Sequence, residues 1–459
     1  EEAGYEIVGT DMKADIYIIN TCTVTGISAR KSRQMIRKAK SLNEDSIVVV
    51  MGCYSQTSPE EVSTIPGVNL IIGTNNRNKI VEYLDKFFNS NKADGTDKIV
   101  RIDNNEFFKS DKSEENDETE HANALGKSKR QLKIVSNIMK VREFEKLHVN
   151  SYKDRTRAYI KVQEGCTQFC SYCIIPYARG PVRSRDPKDI VDEVTEFAEN
   201  NFKEIVITGI HVASYGKDLK NTSFLDLIYK IHEIPGIERI RLSSIEPTIF
   251  DDNFIQAIKK LEKLCPHYHI SLQSGCDETL KRMNRKYTTA QYEEVVKKLR
   301  ENIEDIAVTT DVMVGFPGET DEEFENTYTF LKRINFAKMH VFKYSPRKGT
   351  PAASYPNQVS GKIKEERSKR LIELSKECSY NFHRSFIGRQ MPVLFEKEVD
   401  INFYEQLKTV NLKHSGKIIE GLTPNYIRVF CNGDDSDKGE IRNVVLKEAS
   451  DEIMVGEIV

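Results

Sequence analysis

Two stretches of this chain alternate short β-branched runs with helical segments, and no other feature restricts its fold as strongly. In the first, ADIYIIN (14–20) precedes a helical stretch from about Gly26 to Lys40, SIVVVM (46–51) precedes another, and VNLIIG (68–73) precedes NRNKIVEYLDKFF. In the second, RAYIKVQ at 157, EIVITGI at 204, RIRLSS at 239, HYHISLQ at 267, AVTTDVMVG at 307 and AKMHVFKY at 337 are separated by helical stretches such as PKDIVDEVTEFAENN and DEEFENTYTFLKRI. A strand followed by a helix and a further strand builds a parallel sheet. The first block therefore predicts an N-terminal parallel sheet, and the second a partial barrel of six βα units, since a closed one needs eight. Parallel sheets bind ligands beyond the carboxyl ends of their strands. Cys22 and Cys53 follow the first two strands, and Cys166, Cys170 and Cys173 follow the strand at 157.

Between about 90 and 155 the alternation stops. The run DNNEFFKSDKSEENDETE (103–120) carries eight acids against two lysines and has little to bury, which predicts an acidic insertion or linker over 90–155. The expected domains are 1–89, 156–388 and, beyond the last helix, 389–459. In that last segment MPVLFEKEV, KIIEGL, NYIRVF, RNVVLKEA and EIMVGEIV read as short strands spaced by turns such as NGDD, a small closed β-barrel. The longest apolar runs, such as IVVVM, fall far short of the ~18 residues of a membrane span, which predicts a soluble chain. Nine cysteines in 459 residues, three of them tightly spaced, point to a reducing compartment, by default the cytoplasm. The 68 basic and 70 acidic residues leave a net charge of −2, so any nucleic-acid surface must be a local patch. The chain opens on EEAGYEIV, which reads as the end of a helix and predicts further residues upstream.

The block EGCTQFCSYCIIPYARGPVRSR has the spacing C-x3-C-x2-C. Thiolates are soft ligands that select zinc, copper(I) or iron–sulfur clusters, and three of them leave a tetrahedral site one ligand short. His211, at the end of the second strand of the partial barrel, is the residue that would close a zinc site. The other reading is a cluster whose fourth iron stays open to a ligand. Unpaired core cysteines would need a coincidence of spacing.

This block, with NTCTVTGISARKSR and GCYSQ upstream and HISLQSGCDETLKRMNRKYT and TDVMVGFPGET downstream, resembles the methylthiotransferases of the radical S-adenosylmethionine (radical SAM) superfamily. The resemblance covers the chain except for the acidic insertion. It implies an α/β protein with a flavodoxin-like N-terminal domain, a partial (β/α)6 radical SAM barrel and a TRAM-like C-terminal β-barrel. It implies a 4Fe-4S cluster on Cys166, Cys170 and Cys173 whose open iron is chelated by S-adenosylmethionine. One electron then cleaves that cofactor to methionine and a 5′-deoxyadenosyl radical able to take hydrogen from an unactivated C–H bond. Cys22 and Cys53 match two ligands of the family's second 4Fe-4S cluster, cast as sulfur carrier, the third being expected on a turn before Glu1. Cys265, Cys276, Cys378 and Cys431 match no ligand motif and are expected in the core.

Around the cofactor, GIHVASYG, SSIEP, Gln273 and VGFPGE sit at predicted strand ends. Gly209, His211, Ser243, Ser244, Glu246, Gln273 and Gly315 are the candidate cofactor wall, with Tyr172 placed either on adenine or in the core. Arg179, Arg183 and Arg185 after the triplet, and Arg30, Arg33 and Arg37 on one helix face after Cys22, are candidates for phosphate contact with RNA, weighed against ordinary ion pairing and a solvated face. Segment 389–459 has nine basic and thirteen acidic residues, so an RNA surface there would depend on stacking by residues such as Tyr426 and Phe430, against a role in domain packing. NTCTVT, RKSRQMIR and CTQFCSYCIIPYARG are most similar to the branch acting on N6-threonylcarbamoyladenosine in tRNA. That implies a tRNA substrate, two S-adenosylmethionine molecules per turnover, and a reductant and sulfur donor still to be identified. The other branches act on isopentenyladenosine in tRNA and on a ribosomal-protein aspartate. A non-enzymatic iron–sulfur RNA-binding or electron-transfer protein is the alternative outside the family, although an electron carrier would ligate every iron with cysteine.

Overall fold

The computed structural model describes residues 3–24, 26–93, 100–101, 131–147, 156–399 and 417–459. These divide into two units: one drawn from the chain up to residue 147 with 173–181 and 347–349, the other from the described residues of 156–172, 182–346 and 350–459. No helix among them is long and apolar enough to cross a membrane.

In the first unit β1 (Ile16–Thr21), α1 (Gly26–Leu42), β2 (Ile47–Gly52), α2 (Cys53–Thr57), α3 (Pro59–Ser63), β3 (Val68–Ile72) and α4 (Ile80–Ala93) follow the predicted βα order. With β4 (Val100–Arg101) and β5 (Leu132–Ile134) they form a parallel sheet in the order β1-β2-β3-β5-β4. The IVVV run is continuously apolar because both sheet faces are covered. Val48 and Val50 pack with Ile36, Tyr54 and Val62 on one side, while Val49 packs with Leu84, Phe87 and Ile134 on the other.

Strand β5 corrects the expected linker over 90–155. Leu132 to Ile134 are buried as they pair with β3, and Glu145 is ion-paired with Arg77 at 2.7 Å. Composition averaged over the segment hides a three-residue strand, because one slot beside an existing strand needs little apolar surface. The acidic run 103–120 lies outside the described residues. The first unit also takes in α5 (Ile175–Arg179), from beyond the cysteine triplet, where Thr74 Oγ1 donates to the Ala178 carbonyl at 2.6 Å.

The second unit holds all six predicted strands. Its order is β6 (Arg157–Glu164), β7 (Arg183–Ser184), α6 (Pro187–Glu199), β8 (Glu204–Gly209), α7 (Phe224–His232), β9 (Arg239–Leu242), α8 (Asp252–Ile258) and β10 (His267–His269). Then come α9 (Asp277–Arg282), α10 (Thr289–Asn302), β11 (Ala307–Val314), α11 (Asp321–Ile334), β12 (Lys338–Lys343) and α12 (Gly361–Arg384). Strands β6-β8-β9 and β10-β11-β12 pair in parallel, and the bridges Ile240↔Leu264 and Ile245↔Ile270 join the two sets. Strand β7, not anticipated, pairs antiparallel with the end of β6. Beyond α12, β13 (Gln390–Glu398), β14 (Lys417–Leu422), β15 (Arg428–Gly433), β16 (Ile441–Ala449) and β17 (Met454–Ile458) close the predicted small barrel.

A buried ion cluster joins this barrel to the amino ends of β6, β8 and β9. Glu204, fully buried, accepts from Arg241 at 2.7 Å and faces Arg239 and Arg157 at 3.7 and 3.8 Å. Arg239 also donates to the carbonyls of Leu422 and Pro392, and Arg241 to that of Pro424, each at 2.9 Å. The Tyr426 ring stacks on His267 at 4.5 Å, with Arg241 4.7 Å from its centre. Phe430 is fully buried, which takes it out of any base-stacking surface, while Tyr426 joins in packing on one side and stays partly exposed. A cavity of about 160 Å³ lies here, lined by Arg157, Glu396, Tyr426 and His383 among others.

Burial works against the Glu204 charge, yet Arg241, Arg157 and Arg239 outweigh it and hold the carboxyl below its usual range. A folded-state value below the unfolded one stabilises the fold above the unfolded value of about 4.5, and that contribution is lost as pH falls through the depressed folded value. Glu204→Ala, which leaves three guanidinium groups uncompensated, is expected to cost about 3–5 kcal/mol. Thermal unfolding at pH 7 checks the loss, and the gap between wild type and Glu204→Gln is expected to narrow as pH is lowered.

Candidate metal centres

The cysteine loop leaves β6 through a turn held by Gln163. This fully buried side chain donates to the Glu164 and Gly165 carbonyls at 2.7 Å and accepts from the His211 backbone N–H at 2.8 Å. Cys170 is buried, and Cys166 and Cys173 are half-buried. The Gln168 N–H donates to Cys166 Sγ at 3.5 Å and the Arg285 guanidinium to Cys170 Sγ at 3.3 Å. Burial pushes the Cys166 thiol up to about 11, opposed by the Gln168 N–H.

Glu246 ties the loops of the second unit together. Only 7 % exposed, it contacts His211 Nε2 at 2.9 Å, the Gln168 amide at 3.0 Å and Arg285 at 3.0 Å. Burial raises its pKa, but the hydrogen bond from His211 and the charge of Arg285 outweigh burial and hold the carboxyl below its usual range. The four residues come from loops after β6, β8, β9 and α9, so one carboxylate fixes loops along the carboxyl edge of the strands. Arg285 also donates to the Tyr287 hydroxyl at 3.0 Å. Sequence reasoning missed Gln163, Gln168 and Arg285. The signals were a glutamine at the strand end, another inside the triplet, and an arginine in the RMNRKYT run.

His211 does not close a zinc site: one ring nitrogen faces Glu246 and the other Ser214. Among the described residues no group of three or more His, Cys, Asp or Glu is placed to hold a single metal ion. Ser243 Oγ, beyond the end of β9, is buried and has no hydrogen-bond partner among the described residues, a polar atom suited to a ligand. Ser244 is exposed and shares a hydrogen bond with Ser271 at 2.8 Å. Gln273 has a left-handed backbone, φ 72°, fixed by bonds to Asp311 and Met313 at 2.8 Å, and such strain in a non-glycine residue accompanies functional sites. Tyr172 packs edge-on against Phe316 at 6.4 Å, the core alternative. Gly209 and Gly315 both lie where a side chain would crowd a neighbour. A Cβ on Gly209 would lie 3.1 Å from Gln163 Oε1, and one on Gly315, φ 70°, would collide with Lys364. Soft thiols, a compensating cation on Cys170 and an orphaned hydroxyl fit a thiolate-bound cluster with an organic ligand beside it.

In the first unit Cys22 and Cys53 directly follow Thr21 and Gly52, which are register partners across β1 and β2. Gly52 has φ 101°, and a Cβ there would sit 2.6 Å from the Thr21 carbonyl, so only glycine lets this turn approach its neighbour. Cys53 is buried and Cys22 exposed, both free. Cys265, Cys276, Cys378 and Cys431 are buried, as expected.

The arginine expectations need correction. Arg183 and Arg185 are buried against Glu164 and Glu193, because β7 tucks this segment beside β6, so they are structural ion pairs. Arg179 donates to Cys53 Sγ at 3.2 Å. Arg33, beside the buried Ser32 on α1, is engaged with Tyr54 at 3.1 Å and Glu61 at 3.2 Å. Arg30 and Arg37 are exposed on α1, as expected of a phosphate-binding or solvated face.

Residues 160–331 match the Radical SAM superfamily and residues 1–73 the uncharacterized protein family UPF0004. The chain is 38 % identical to the threonylcarbamoyladenosine tRNA methylthiotransferase MtaB of Bacillus subtilis, over 98 % of this chain and 89 % of that one. It is 36 % identical to the protein of that name from Aquifex aeolicus, over 92 % and 94 %. It is 34 % identical to the tRNA-2-methylthio-N(6)-dimethylallyladenosine synthase of Thermoanaerobacter pseudethanolicus, over 100 % and 88 %. Among solved structures, the radical S-adenosylmethionine methyltransferase TsrM of Kitasatospora setae shares the fold with a TM-score of 0.52 at 15 % identity, over 75 % of this chain and 67 % of that one. On the extent and level of these identities, this chain belongs to the radical SAM methylthiotransferases, in the MtaB-like branch.

Proposed function

We propose that this enzyme adds a methylthio group to adenine C2 of N6-threonylcarbamoyladenosine beside the tRNA anticodon. In this reading Cys166, Cys170 and Cys173 hold one 4Fe-4S cluster, while Cys22 and Cys53 hold part of a second in a reducing cytoplasm. The observation that carries the reading is the engagement of both ring nitrogens of His211, the histidine that would close a zinc site, with Glu246 and Ser214. The choice of tRNA and nucleoside is supported by the names of the relatives at 36–38 % identity.

When bound, the triplet cluster and S-adenosylmethionine supply one-electron cleavage chemistry strong enough to break an unactivated C–H bond. The chain's own residues hold the geometry. Arg285 compensates both Cys170 and Glu246, Gln168 links Glu246 to the cysteine loop, and the Ser243 hydroxyl is left to meet a polar group of the ligand. Arg30 and Arg37 offer exposed positive charge for phosphate contact near the turn that carries Cys22.

The reconstituted full-length protein is expected to cleave S-adenosylmethionine under reduction, and Cys166→Ala is expected to abolish this; an unaffected variant would refute the triplet as ligand set. Nucleoside mass spectrometry of tRNA from a deletion strain is expected to show loss of the methylthio group from threonylcarbamoyladenosine alone. Loss from the isopentenyl nucleoside instead would assign the other tRNA branch. Arg285→Ala, which leaves a buried carboxylate uncompensated, is expected to lower iron affinity about 10- to 100-fold, read as iron per chain at limiting iron.

A further inference from the structure

Arg179 is half-buried. It ends α5, a helix fixed by burial of Pro176 and Ala178 and by the hydrogen bond from Thr74, and its Nε–H donates to Cys53 Sγ at 3.2 Å. Cys53 is 5 % exposed, so solvent does little to screen a charge beside its sulfur. The arginine is delivered by a segment that lies more than a hundred residues downstream of Cys53 in sequence.

Iron–sulfur potentials are set by the net charge of the cluster, by hydrogen bonds to its sulfurs and by exposure. A cation donating to a ligand sulfur favours the more negative, reduced form. Resting on the reading that Cys22 and Cys53 hold a second cluster, we propose that Arg179 is a positioning residue of that cluster, holding the Cys53 sulfur and raising the cluster's reduction potential. The role differs from a mere anchor for α5, which would leave the potential unchanged.

The test uses the full-length protein with Cys166, Cys170 and Cys173 replaced by alanine, so that only the second cluster is present, reconstituted anaerobically and titrated with detection by electron paramagnetic resonance. Arg179→Ala and Arg179→Gln are expected to lower the reduced-to-oxidised ratio at fixed ambient potential about tenfold, roughly 59 mV for a one-electron couple. Arg179→Lys is expected to recover most of the difference. Arg179→Gln retains a side-chain donor of similar reach, so that a folded, iron-loaded protein is available if Arg179→Ala misfolds. Full iron content with an unchanged potential in these variants would overturn the role of Arg179 and leave the cluster in place. Absence of bound iron while Arg179 is intact would overturn the cluster reading, and the proposal with it.

Discussion

The second unit depends on one buried carboxylate. Glu246, removed from water, must be met by donors, and these come from separate loops: His211 after β8, Gln168 within the cysteine loop and Arg285 after α9. An uncompensated charge at that depth would cost several kcal/mol, so the loops are held together and the cysteine loop with them. Arg285 carries the link to Cys170, and so the charge that satisfies the carboxylate also faces a thiol of the cysteine loop. Gln163 completes the arrangement from below by fixing the turn before Cys166.

The amino ends of the same strands solve the opposite problem with the same currency of charge. Glu204 collects three arginines, and the guanidinium groups left over bind backbone carbonyls of the small β-barrel. That barrel's aromatic handle, Tyr426, is spent on His267 and Arg241. The two ends of the strands are thus divided: a carboxyl edge with the cysteine loop and a hydroxyl unpartnered among the described residues, and an amino edge closed by ion pairing. In the first unit the register of β1 and β2 brings Cys22 and Cys53 to one sheet edge, and a glycine with left-handed φ lets the second turn approach the first.

Much of this was legible in the residues. The strands from 14 to 73 and from 157 to 343 were visible because alternating helical and continuous β-branched patterns survive in sequence, and the barrel strands because turns punctuate them. Strand β5 escaped, since three residues inside an acidic segment carry no period. The thiol spacing could be read directly, whereas the partners of Gln163 and Arg285 could not, because what they touch lies one strand or more than a hundred residues away in the chain. Arginine proved least legible. Arg30, Arg33, Arg37, Arg179, Arg183 and Arg185 look alike in sequence, but two are exposed on α1, one is occupied by Tyr54 and Glu61, two are buried ion pairs and one faces a cysteine.

The amino-acid sequence by itself determined most of the elements that form and which thiols stand in a metal-type spacing, because backbone periodicity and residue spacing are local properties. Only the tertiary structure decided which charges are partners and which remain exposed, that His211 serves a carboxylate, and that Arg179 lies on a sulfur. The energy of a charge depends on how deeply it is buried and what stands opposite it, and neither is a property of neighbouring residues in the chain.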